Sequence, residues 1–89
     1  MEITKVYIHK VDREDSSLKG YATVVIDDCF RVNNIRIIEG KSRLFCQMPN
    51  RKGKNGEFMD IVHPTNEETR NLFEEKILEE YNKEASEVE

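Results

Sequence analysis

No apolar run in this sequence approaches the roughly eighteen residues needed to cross a bilayer as a helix, and Met1-Glu2-Ile3-Thr4-Lys5 lacks the basic-then-apolar layout of a secretory signal. No membrane association is expected, and a cytoplasmic location is. Cysteine is scarce. Cys29 and Cys46 each stand alone in an apolar, strand-like stretch, and a reducing cytosol disfavours a bridge, so both are expected as buried free thiols. A metal site built from Cys29, Cys46, His9 and His63 would need ligands from four segments with no C-x-x-C or H-x-x-x-H pair, so no metal is expected. The phosphate-cradling patterns G-x-x-x-x-G-K-[ST] and G-x-G-x-x-G are both absent, and Gly53 and Gly56 with Lys54 match neither. No cofactor or small-molecule substrate is implied. Internal repeats, low-complexity tracts and linkers are also missing.

What remains is one short, polar domain. A chain of 89 residues buries a modest fraction of its surface, so its stability margin should be thin and oligomerisation is expected. Hydrophobic residues make up 37% and charged residues 36%, polar for a compact domain but without the depleted, single-sign composition of a disordered one. The net charge of −4 is unevenly spread: residues 65–89 hold nine acids and three bases, whereas residues 1–64 hold nine acids and eleven bases. Within the latter, the window from Lys41 to Lys54 carries five bases and no acid. A net-negative chain therefore has one acidic end and one basic patch, and the patch, not the sum, decides whether a polyanion is a plausible partner.

Five stretches have strand patterning, spaced as in an antiparallel meander. The first covers about Ile3 to Val11 and ends in the polar cluster Asp12-Arg13-Glu14-Asp15-Ser16-Ser17, predicted as a loop. The second, about Leu18 to Ile26, puts Ala22, Val24 and Ile26 on one face and Tyr21, Thr23 and Val25 on the other, and Asp27-Asp28 closes it with a tight turn. In the third, Phe30 and Val32 alternate, and so do Ile35 and Ile37, but the phase changes at Asn33-Asn34, which predicts a β-bulge there. After the turn Glu39-Gly40-Lys41-Ser42, a fourth strand alternates Leu44, Cys46 and Met48 against Arg43, Phe45 and Gln47, and Pro49 ends it. Asn50 to Gly56 then forms a loop in which Asn55-Gly56 signals a hairpin, because both residues tolerate positive φ, and a fifth strand runs from Phe58 to His63.

Beyond Pro64 the period changes from two to nearly four. Thr65 with Glu68 fits a capping box, Glu67 and Glu68 suit the positive end of a helix dipole, and Phe73, Ile77 and Tyr81 recur every fourth residue. A helix over about Glu67 to Asn82 is predicted, its stripe of Phe73, Ile77, Leu78 and Tyr81, with Leu72 beside it, lying on one face of the sheet and not on a partner helix. Residues 1–83 thus form a single α+β domain, a small antiparallel sheet of about five strands with a C-terminal helix, and residues 84–89 an acidic tail expected to fray.

Catalysis finds little support. Asp60 and His63, with Cys46 as a conceivable nucleophile, are the sole local grouping, and residues three apart on a strand point to opposite faces, so Asp60 cannot orient His63 as a base requires. His63 is better placed to fix the strand-to-helix corner before Pro64, and no enzyme activity is expected. The basic loop is the stronger candidate. Arg51, Lys52 and Lys54 stand at a hairpin where glycines allow close backbone approach, and such side chains neutralise phosphates. A Lys-rich hairpin tip that merely stays solvated and unpaired has the same composition, so charge alone does not separate the two. Lys41 and Arg43, at the other end of the acid-free window, join the candidates.

The run Ile35-Arg36-Ile37-Ile38-Glu39-Gly40, then Leu44-Phe45, Met48-Pro49-Asn50-Arg51-Lys52, Gly56-Glu57-Phe58, Asp60-Ile61-Val62-His63-Pro64 and Thr69-Arg70, resembles the SpoVG (stage V sporulation protein G) family in order and spacing. The resemblance covers nearly the whole chain. It implies a homodimer with an antiparallel sheet and a C-terminal helix, a bacterial regulator of gene expression linked to sporulation and septation that binds DNA and in some members RNA. It places the nucleic-acid contacts largely on the basic pair after Met-Pro, here Arg51 and Lys52, with Arg70 as a further candidate; Lys54 extends the patch in this chain, outside what the resemblance carries over. Cys46-Gln47 and Asn34 depart from the family's usual small or aliphatic residues and acid, changing packing or polarity more than the loop. The acidic end would repel phosphate or impose a docking direction. A second kind of function stays open beside this one: an interaction module whose acidic C-terminal helix docks a protein partner.

Overall fold

A computed structural model describes residues 1–11 and 16–87, with side chains as far as Lys83. Residues 12–15 of the predicted loop and the last two residues lie outside that description. Strands β1 (Ile3–Lys10), β2 (Leu18–Ile26), β3 (Phe30–Glu39) and β4 (Leu44–Gln47) pair antiparallel in the order β1-β2-β3-β4, a meander. Strands β5 (Asn50–Lys52) and β6 (Phe58–Asp60) pair with each other in a separate two-stranded sheet, and helix α1 (Glu67–Glu87) follows.

The single five-stranded sheet is therefore replaced by a four-stranded sheet and a detached hairpin. Pro49 has no N–H to give a ladder, so the chain leaves the large sheet there. Asn50 to Lys52, predicted as loop, then becomes one strand of the hairpin.

Within the large sheet the period-two pattern predicts the burial. Ala22 and Val24 of β2, Val32, Ile35 and Ile37 of β3, and Cys46 with the following Met48 form one buried face, and Phe73 and Ile77 of α1 close over it. The helix touches β1 and β4, so it lies across the sheet as the stripe predicts. Val24, Ile35, Ile37 and Ile77 are the largest fully buried side chains, each contributing roughly 1.5–3 kcal/mol by removal from water.

The bulge also stands where the phase change places it. Ala22 pairs with Ile35 and Val24 with Val32, so three steps on β3 match two on β2, and Asn34 takes up the difference at φ 62°. Both Val32 and Ile35 stay on the core face as a result. The Asp27-Asp28 turn carries positive φ at both residues (50° and 55°) with Cys29 N donating to Ile26 O at 3.0 Å, the geometry whose twist matches flanking strands. Gly20 has a reason the sequence does not advertise: a Cβ there would meet the carbonyl oxygen of His9 at 2.8 Å, so β1 could not lie as close.

Three local expectations are corrected. Cys29 is exposed because it belongs to the β2–β3 turn, and only Cys46 is a buried thiol. The helix cap is Asn66, whose Oδ1 accepts from Thr69 N at 2.7 Å; Thr65 lies one residue too early. The helix continues five residues past its predicted end, to Glu87, so the backbone of residues 84–87, expected to fray, is helical, and the last two residues of that tail lie outside the description.

Candidate nucleic-acid interface

The hairpin is fixed at its base and free at its tip. Asn50 Nδ2 donates to Met48 O at 3.1 Å and Ile61 N donates to Pro49 O at 2.7 Å, tying both strands to the point where the chain leaves the buried face. Asn50, Arg51 and Lys52 then oppose Asp60, Met59 and Phe58. At the tip Gly53 N donates to Glu57 O at 2.7 Å and Gly56 N to Gly53 O at 3.1 Å, with Asn55 Oδ1 accepting from Glu57 N at 3.1 Å. The loop is thus three residues, Lys54-Asn55-Gly56, with Gly56 alone at positive φ (87°), in place of a two-residue Asn-Gly turn.

Arg51, Lys52 and Lys54 are all exposed, and none forms an ion pair among the described residues. The hairpin's acids, Glu57 and Asp60, lie on the return arm, so the bases gather on β5 and the turn. Three cations within four residues, held on a short ladder away from the core, can meet phosphates without moving any packed side chain.

The other predicted bases are not gathered there. Lys41 and Arg43 occupy the β3–β4 turn, separated from the hairpin by the length of β4, about 13 Å at ~3.3 Å per residue. Arg43 is ion-paired with Glu74 of the helix, which commits its charge to holding the turn against α1. Arg70 is exposed in the first helical turn. Arg51, Lys52 and Lys54 share one short segment; Lys41, Arg43 and Arg70 lie on other elements.

The residues weighed for catalysis do not act together. Burial, and secondarily the nearby Glu74 carboxylate, push the Cys46 thiol up to about 12 against a smaller opposing effect of Arg43, so no thiolate forms near neutral pH. His63 Nδ1 lies 2.8 Å from Pro64 O, at the corner it was expected to fix, and Asp60 is exposed on β6. Among the described residues no three His, Cys, Asp or Glu side chains converge as a metal would require, and no helix is long and apolar enough to cross a membrane.

Sequence patterning missed one feature of this region. Phe58, Met59 and Ile61 are 70%, 63% and 66% exposed, although they were predicted to lie in a sheet strand with one face covered. The signal was present in the run Phe58-Met59 followed by Ile61-Val62, which is apolar on both faces and so fits no strand that is half solvated. Beside it, Phe30, Val32, Met48, Val62, Pro64 and Phe73 line an apolar cleft of about 150 Å³ between the sheet end and the helix start.

Comparison with known proteins adds a family. A family model described as SpoVG matches residues 1–83. A protein of Phytoplasma australiense bearing the name "Putative septation protein SpoVG" is 52% identical over 81 residues, covering 91% of this chain and 83% of that protein. Proteins of the same name from Anaeromyxobacter sp. (strain Fw109-5) and Borrelia hermsii are each 46% identical, covering 94% of this chain and 84% and 90% of their own lengths.

Proposed function

The chain belongs to the SpoVG family, and from that premise and the hairpin's geometry we propose that it is a homodimeric regulator that binds DNA or RNA through β5 and the turn after it. The observation that carries this is the group Arg51, Lys52 and Lys54: exposed, close in sequence, and without an ion pair among the described residues on an element that packs against little else. The name shared by its relatives points to septation as the process served.

Dimerisation is supported by the exposed apolar residues of β6. A two-stranded hairpin is marginal by itself in water, and a second copy would cover the exposed Phe58, Met59 and Ile61. Two protomers then present two basic arms.

The test is a titration of labelled duplex DNA and of RNA at ~50 and ~200 mM salt. Six phosphate contacts from two hairpins predict affinity falling about 10³-fold between those salts. No binding at micromolar protein in low salt overturns the proposal and favours instead a protein partner for the acidic helix, whose Glu67, Glu68, Glu75 and Glu79 are exposed.

A further inference from the structure

Among the described residues no element packs on the face of the four-stranded sheet opposite the helix, and three of its rows follow from the strand register. Lys5, Val25 and Arg31 make one row, Tyr7 and Thr23 with Asn33 the next, and His9, Tyr21, Arg36 and Gln47 the third. Thr23 Oγ1 donates to Asn33 Oδ1 at 3.3 Å, which keeps Asn33 on this face through the bulge.

The composition of the face is one-sided. These rows include the bases Lys5, Arg31 and Arg36 and no acid. Lys19 is paired with Glu39 at 3.6 Å, while Lys5, Arg31 and Arg36 are exposed with no ion pair among the described residues; Asp28 stands at the end of the face beside Lys5 and Arg31. Between the cations lie aromatic rings. Tyr7 is 49% exposed and Tyr21 half-buried on the neighbouring strand, and the Arg31 guanidinium carbon lies 5.9 Å from the Tyr7 ring centroid.

Two of the shallow depressions lined by Tyr7 involve this face. One, about 450 Å³, is lined by Tyr7, His9, Tyr21, Thr23, Asn33 and Asn34; the other, about 320 Å³, includes Lys5, Tyr7, Val25 and Arg31. Tyrosine rings flanked by unpaired cations and amide side chains suit a ligand that alternates flat apolar rings with anionic links. We propose that this sheet face binds single-stranded nucleic acid, with bases stacking on Tyr7 and Tyr21 and phosphates meeting Lys5, Arg31 and Arg36. A duplex keeps its bases stacked internally and offers these rings nothing, so it is the wrong occupant. The surface extends the proposed nucleic-acid binding to a second site and does not depend on the hairpin.

The test compares single strands, oligo(dT) and oligo(U) of about twelve nucleotides, with a duplex of the same length. Tyr7→Leu with Tyr21→Leu keeps apolar bulk on the strands and removes the aromatic rings, so single-strand affinity should fall at least about tenfold and duplex affinity change less than about twofold. Arg31→Ala with Arg36→Ala should flatten the single-strand salt slope by up to about 1.4. A folded leucine variant that binds single strands as the parent does overturns the proposal. So does an equal loss on duplex and single strand, or a parent protein that binds no single strand at micromolar concentration in low salt. If the leucine variant fails to fold, the parent decides: it has three Tyr and no Trp, so stacking must quench tyrosine emission, and unchanged emission at saturating oligo(dT) overturns the proposal. Arg51→Ala with Lys52→Ala and Lys54→Ala, measured on the duplex, reads the hairpin separately, so the failure of one surface is distinguishable from failure of the other.

Discussion

The four-stranded sheet with its helix and the β5–β6 hairpin divide the work of the chain. On the helix-covered side of the former, Val24, Ile35, Ile37 and Ile77 are buried, and at its margins Arg43 and Lys19 have ion partners. In the latter, Phe58, Met59 and Ile61 face out and Arg51, Lys52 and Lys54 have no ion partner among the described residues. A side chain that contributes little to folding is free to contribute to binding. The same chain therefore keeps its stability on the helix-covered side of the sheet and its candidate contacts outside it, on the hairpin and on the sheet's other face.

The largest effect expected from this division is on core truncation. Ile35→Ala should cost about 3 kcal/mol in urea unfolding, from lost burial plus the cavity left behind, whereas Met59→Ala should cost less than about 0.5 kcal/mol at dilute protein. Equal costs would erase the distinction between the regions.

A smaller effect sharpens it by pH. Folding keeps the Cys46 thiol neutral up to about 12, mainly by burial, while the unfolded thiol ionises near 9.0. Its contribution to stability is complete below the unfolded value and declines as pH rises from there toward 12. Between pH 9 and 10 the parent should lose about 1 kcal/mol more than Cys46→Ala, because the variant lacks the titrating group. Urea unfolding at the two pH values checks this, and parallel losses would mean that Cys46 is not held neutral by the fold.

Much of the stable region was legible because its signals are local. The bulge at Asn33-Asn34 followed from a phase change within one strand, and the helix stripe from a four-residue period. What was not legible depends on pairings across the chain. Pro49 marks the end of β4, but that β5 and β6 pair only with each other is a matter of which edge they reach. The cap fell on Asn66 and not Thr65 because either residue type serves, and only the backbone fixes which one precedes the first turn. At the candidate interface, Arg51, Lys52 and Lys54 stayed together as one exposed group. Arg43 did not join them, since nothing near it in sequence announces Glu74, thirty-one residues later.

The hairpin itself should have the smallest effect on stability and the largest on binding. Replacing Arg51, Lys52 and Lys54 together with alanine touches no buried apolar residue, so the urea midpoint should hardly move. The decisive measurement is the slope of log affinity for duplex DNA against log salt, for the parent and for this triple variant. With both hairpins of a dimer on the backbone, up to about six contacts are lost, and the slope should flatten by up to about five units while affinity at low salt collapses. A triple variant that stays folded and keeps the parent's affinity and slope would show that the basic hairpin is only a solvated tip.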